Sequence, residues 1–135
     1  MTSPNVDGVT TLLEVFDMGR SLAFYRALGF AVVAHWPDTQ REDTWDWVRL
    51  RLGGAELMLN TRYELDERPM APDAARSAGH ADTELFFGCA DLDALCKDFR
   101  LGGVGAPEPE TTFYGTRLVR LIDPDGFVIC FQSPI

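Results

Sequence analysis

Histidine is almost missing: His35 and His80 are the two in 135 residues. Both fall beside predicted strands rather than within them, so a histidine general base or an imidazole-built metal centre is weakly provided for. Cysteine is scarce as well. Cys89, Cys96 and Cys130 form an odd set without a CxxC spacing, which excludes a zinc knuckle or a dithiol redox motif and reads as reduced thiols. No apolar run approaches the ~18 residues needed to cross a bilayer. Residues 1–7 have neither the basic start nor the apolar stretch of a secretory signal, so no membrane partner and a cytoplasmic location are expected. Positive charge is in deficit, 12 Lys and Arg against 21 Asp and Glu, for a net charge of -9 and a pI near 4.5. Nucleic acid is excluded as a partner, because a phosphate backbone requires a positive footprint. The same balance permits a cationic ligand and equally serves solubility alone.

What is present is 46% hydrophobic and 24% charged residues in a length that suits one domain, 1–135. The pattern is written twice. Laying Asp17 over Asp91 puts Tyr25 on Phe99, Arg26 on Arg100 and Gly29 on Gly103. Each half opens on a short run rich in β-formers, 9–16 and 84–89, which predicts a strand. Asp follows, suited to accept the free amide hydrogens of a first helical turn. Helical spacing comes next, with Leu92, Leu95 and Phe99 on one face of the second helix, and Gly29 or Gly102-Gly103 stops it.

Strands are predicted after each helix: 30–34, 45–52 and 55–60 in the first half, then a short piece near 104–109, 116–122 and 127–132 in the second. Gly53-Gly54 and Asp123-Pro124-Asp125-Gly126 carry turn chemistry between the last two strands of each half. The order is βαβββ twice, with repeat one at about 9–60 and repeat two at about 82–132. The connector, about 61–81, reads as a loop with a short helix around 73–77. Two such units bury their apolar surfaces by pairing. The predicted class is α+β, a cupped mixed sheet with helices on its outer face and a concave pocket inside.

Strand alternation assigns the faces. Leu57, Leu59, Leu85, Phe87, Ile129 and Phe131 form a strongly apolar outer set. The inner set is mixed and contains Glu14, Glu56, Met58, Glu84, Phe86 and Cys130. Three carboxylates on one concave surface would hold a cationic ligand or favour protonation of one member; as an alternative, Glu14 and Glu84 are solvated or paired with Arg49, Arg51, Arg117 or Arg120. Trp45 and Trp47 share one face of their predicted strand, an aromatic wall for a ligand or ordinary packing. Cys130 reads as a small buried hydrophobe rather than a nucleophile.

A strand ending at Asp17, a helix carrying Phe24-Tyr25 before Leu28-Gly29-Phe30, and Tyr114-Gly115-Thr116-Arg117 followed by Ile122-Asp123-Pro124-Asp125-Gly126-Phe127 together resemble the opening and closing patterns of the glyoxalase, bleomycin-resistance and extradiol-dioxygenase proteins. The resemblance runs from about residue 9 to 132 and implies the vicinal oxygen chelate fold. Metal-dependent members of that family carry His, Glu and sometimes Gln ligands on the first and last strands of each half. Carried over one at a time, those positions fall on Thr10 (Thr11 with a one-residue slip), Glu56 (Met58 with a two-residue shift), Glu84 and Cys130. No histidine stands at any of them.

The resemblance is therefore strongest to the metal-free, bleomycin-resistance-like branch. It implies no cofactor and a sequestered small-molecule ligand, cationic or aromatic, such as an antibiotic. Tyr114 occupies the loop where such proteins place an aromatic before glycine. The expected ligand-binding set is Glu14, Trp45, Trp47, Glu56, Met58, Glu84, Phe86, Tyr114 and Cys130. The alternative is a divalent metal ion held by Glu56 and Glu84 in a lyase, isomerase or dioxygenase, and a third reading is a catalytically silent interaction module. Family precedent, and the frequency of two-fold pairing in general, lead us to expect a homodimer.

Overall fold

The computed structural model describes residues 4–135. In chain order the elements are β1 (Thr11–Val15), α1 (Met18–Ala27), β2 (Ala31–Trp36), β3 (Trp47–Leu52) and β4 (Ala55–Thr61). The connector carries α2 (Ala74–Gly79). The second half holds β5 (Glu84–Gly88), α3 (Leu92–Leu101), β6 (Glu110–Thr111), β7 (Thr116–Ile122) and β8 (Val128–Pro134). The repeat is present down to its caps. The Asp17 carboxylate accepts from the Arg20 amide at 3.3 Å, and the Asp91 carboxylate accepts from the Ala94 amide at 3.1 Å, each three residues on. Gly29 and Gly103 follow the helices with φ of 107° and 88°, left-handed conformations that glycine adopts without a Cβ penalty.

The expected cup is made of two sheets rather than one. Each half forms its own four-stranded mixed sheet, ordered β1-β4-β3-β2 and β5-β8-β7-β6. In each, the first and last strands pair parallel and the others antiparallel. The strand expected at 104–109 instead begins at Glu110, since Pro107 and Pro109 have no amide hydrogen to give to a ladder. No helix among the described residues is long and apolar enough to cross a membrane.

One apolar core lies on the helix side of both sheets. Leu13, Val15, Val48, Leu50, Leu57 and Leu59 meet Leu22 and Tyr25 of α1, while Ile129, Phe131 and Val119 meet Leu92, Cys96 and Phe99 of α3. The halves touch through Phe30 and Phe87, edge to face with centroids 5.7 Å apart.

A polar bracket also joins them. The β7–β8 turn of the second half presents Asp123 and Asp125 to α1 of the first. The Tyr25 hydroxyl donates to Asp123 at 2.7 Å, and the Ser21 hydroxyl and the Phe16 amide donate to Asp125 at 3.3 and 2.8 Å. The other Asp123 oxygen accepts from the Asp125 and Phe127 amides, both at 2.9 Å.

Burial raises the Asp123 carboxyl above its ordinary range, while its hydrogen bonds from Tyr25, Phe127 and Asp125 pull it back. A carboxyl raised in the folded state binds more protons folded than unfolded between its two pKa values. Its stabilisation is therefore greatest at low pH and declines as pH rises through that window. Tyr25→Phe removes one compensating donor. We expect it to cost about 1–3 kcal/mol at neutral pH, measured by urea unfolding, with a penalty that shrinks as Asp123 is protonated on acidification. A penalty independent of pH would show that the bond is not made to a carboxylate.

Candidate functional site

Alternation along the strands leaves one side of each sheet buried against the helices and the other open over most of its extent, with Cys130 and Leu118 of the second sheet covered. In the first sheet the open side carries Leu12 and Glu14 of β1, Glu56, Met58 and Asn60 of β4, and Trp47, Arg49 and Arg51 of β3. Register aligns Glu14, Asn60, Trp47 and Trp36 in one row across all four strands, and Leu12, Met58, Arg49 and Ala34 in the next. In the second sheet Glu84 aligns with Val128 and Ile122, Phe86 with Cys130 and Arg120, and Gly88 with Gln132, Leu118 and Glu110.

Seven of the residues expected at the site lie on these open faces: Glu14, Trp47, Glu56 and Met58 on the first, and Glu84, Phe86 and Cys130 on the second. Glu56 and Glu84 border one cleft of about 340 Å³ where the two sheets meet, with Thr11 and Phe86 beside them. Tyr114 belongs to neither face. It stands half exposed in the turn before β7, edge to face with Phe113 at 5.1 Å, next to a cleft bordered by Gly115 and Gln132.

Trp45 is a correction. A 3-10 turn over Glu42–Thr44 delays the start of β3 to Trp47, so Trp45 does not continue the alternation of that strand. It is 8% exposed, stacks on His35 at 3.9 Å and donates from its indole to the Thr39 carbonyl at 2.9 Å. Its place beside Trp47 is taken by Trp36, 63% exposed at the end of β2. The cross-strand register Trp36↔Trp47 that brings it there spans a ten-residue excursion and a β-bulge between Val32 and Ala34, neither of which alternation reveals. Gln132 shares the inner parity of Cys130 on β8 but stands outside the expected ligand-binding set. Its Oε1 is the one buried side-chain oxygen or nitrogen without a partner among the described residues, and such an acceptor needs a donor from outside the chain.

Arginine engages each expected carboxylate. Glu56 lies 3.5 Å from both Arg49 and Arg51. Glu14 meets Arg62 at 3.3 Å and Arg76 at 2.8 Å, and Glu84 pairs with Arg120. That last pair covers Cys130, whose sulfur is 3.9 Å from each partner. Burial raises the Cys130 thiol and Arg120 opposes the shift only in part, so the sulfur is held as a thiol, a poor nucleophile and a poor ligand. His80 stacks on Phe127 at 4.0 Å and bonds the Asp125 carbonyl at 2.7 Å, and it borders a small cavity with Glu14, Arg62 and Arg76.

These residues do not fit the metal centre of the family's metal-dependent members. Such a centre needs three or four convergent imidazole or carboxylate donors. Among the described residues no three of His, Cys, Asp and Glu converge in that way, and Glu56 and Glu84 each face a guanidinium. We therefore expect titration with zinc, nickel, manganese or iron(II) to leave Trp fluorescence unchanged at stoichiometric metal. Tight uptake that disappears in a Glu56→Gln/Glu84→Gln variant would overturn this.

Comparison with known proteins agrees with the fold. No curated protein sequence matches the chain. Among solved structures, a bleomycin-binding protein complexed with bleomycin superposes with a TM-score of 0.70 at 19% identity, covering 96% of this chain and 100% of that one. An antibiotic-binding protein from Streptomyces sp. CB03234 gives 0.66 at 23% identity over 99% and 100% of the two chains. A glyoxalase/bleomycin resistance protein from Catenulispora acidiphila DSM 44928 gives 0.65 at 26% identity over 94% and 97%. The family profile matches residues 9–131, and the chain belongs to the glyoxalase/bleomycin resistance protein/dioxygenase superfamily.

Proposed function

We propose that this protein binds and sequesters a small organic molecule with aromatic character, of the antibiotic kind, on its open sheet faces and without a metal ion. The observation that carries the reading is the composition of those faces. Trp36 and Trp47 lie side by side, with Trp36 63% exposed, and Phe86 is 45% exposed on the other sheet. Polar groups with unused hydrogen-bonding capacity, Asn60, Arg49 and Gln132, stand among them. Large apolar side chains interleaved with a few convergent polar groups are what a small-molecule site requires. The bleomycin complex and the antibiotic-binding protein share this fold over nearly their whole length, which supports the same use here. Tyr114, half exposed in the turn before β7, is the residue we assign to closing over a ligand at the edge of the second face.

The same faces suit a second copy of the chain. Arg62 and Arg76 outnumber Glu14 at one end of the first, which leaves Arg49 and Arg51 to the groove, whereas Glu84 and Glu110 outnumber Arg120 at the second. A two-fold pairing that sets the first face of one copy against the second face of the other joins opposite charges and covers Leu12, Phe86 and Ile122. In that homodimer the ligand lies in the groove between copies. Light scattering is expected to give about twice the 15.0 kDa of the chain.

Titration with bleomycin and with planar aromatic antibiotics, followed by Trp fluorescence and calorimetry, tests the binding. We expect saturable binding with the compound recovered unchanged, weakened about 3- to 10-fold by Trp47→Ala, the size of a lost aromatic contact. Chemical alteration of a compound would make the protein an enzyme. Failure of every aromatic compound to bind would end the sequestration reading.

A further inference from the structure

The acidic balance of the chain does not extend to the first face. There Glu56 is a single carboxylate facing two guanidinium groups, Arg49 and Arg51, each at a long 3.5 Å. Glu14 likewise faces two, Arg62 and Arg76. Each guanidinium has five N–H donors. On this face Arg49 uses one toward Glu56 and one toward the Met58 sulfur at 3.7 Å. Arg51 uses one toward Glu56. Most donors are left over, and every carboxylate is already taken. A cationic ligand would have to displace a guanidinium to reach a carboxylate, whereas an anionic group meets free, forked donors.

Arg49 sits two residues along β3 from Trp47 on the same side, roughly 7 Å away. Trp47 is flanked across the ladder by Trp36 and Asn60. Resting on the sequestration reading above, we infer that the ligand of the first face is a planar aromatic acid: its ring system stacks on Trp36 and Trp47, and its carboxylate, sulfonate or phenolate oxygen is received by Arg49 and Arg51. The recognition is charge-assisted and forked, which arginine provides and a lysine does not. Neutralisation of Glu56 by two arginines is what makes the face accept a negative group on a protein whose net charge is -9.

Three matched probes test this on the whole protein: naphthalene-2-carboxylate, naphthalene-2-carboxamide and 2-(aminomethyl)naphthalene, each titrated by calorimetry and Trp fluorescence. The carboxylate is expected to bind about tenfold or more tighter than the amide, and the amine weakest. Raising salt is expected to narrow the carboxylate's advantage, because the pair is partly exposed. Arg49→Gln removes the preference for the carboxylate. Arg117→Gln, whose guanidinium pairs with Asp93 on the helix side of the second sheet at 3.0 Å, retains it. An amine that binds more tightly than the carboxylate, or a preference untouched by both Arg49→Gln and Arg51→Gln, overturns the anionic assignment and leaves sequestration standing. If no naphthalene probe of any charge binds, the planar-acid assignment of the first face is overturned, while the sequestration reading stands or falls on the antibiotic titrations.

Discussion

Two buried aspartates in one turn hold the halves of this molecule in register. Asp123 and Asp125 stand two residues apart in the β7–β8 turn, and Ser21 and Tyr25 stand four apart on α1, one helical turn. The spacings match, so each carboxylate meets one hydroxyl. A buried carboxylate without partners would destabilise the fold strongly. Here the Asp123 oxygens accept from Tyr25 and two backbone amides, and Asp125 accepts from Ser21 and the Phe16 amide. The turn also packs on the connector: Gly126 has φ 90°, and a Cβ there would lie 2.2 Å from the Ser77 carbonyl oxygen. Glycine is needed at that point on both counts. Because the bracket ties α1 of one half to the turn of the other, it helps set the angle between the sheets and with it the cleft shared by Glu56 and Glu84.

The open faces follow from that arrangement. Each sheet spends its apolar alternation on the helices, so the other alternation is left to meet solvent, ligand or a second chain. Its side chains do not resemble an ordinary solvated surface, since Trp36, Phe86, Leu12 and Ile122 stand exposed among ion pairs. The arginines contribute twice. They compensate the carboxylates where the family's metal-dependent members hold metal ligands, and at Glu84 the ion pair with Arg120 covers the Cys130 thiol. Here guanidinium groups of Arg49, Arg51 and Arg120 face the carboxylates of Glu56 and Glu84, so the character of the site is set by its side chains rather than by the architecture.

Much of this was legible in the chain. The Asp17/Asp91 repeat, the helix stops at Gly29 and Gly103, the hairpin at Gly53-Gly54 and the inward parity of Glu14, Glu56, Glu84, Phe86 and Cys130 are local features, each enforced within a few residues. Trp45 shows where locality ends. Its alternation with Trp47 was sound only if β3 began two residues earlier, and the 3-10 turn over Glu42–Thr44 moved it into the core beside His35. The break at Pro107 and Pro109 moved β6 for a reason that was itself local, the missing amide hydrogens.

The sequence by itself determined the βαβββ repeat, the capping of its helices and which side of most strands is apolar, because periodicity and cap chemistry act between near neighbours. Only the tertiary structure decided that Trp36 rather than Trp45 stands beside Trp47, that Arg49, Arg51, Arg62, Arg76 and Arg120 occupy the carboxylates, and that Gln132 keeps a buried acceptor unmatched. Those facts depend on cross-strand register and on contacts between segments far apart in the chain, and a guanidinium on a long flexible stem finds its partner only once the fold has placed the carboxylate within reach.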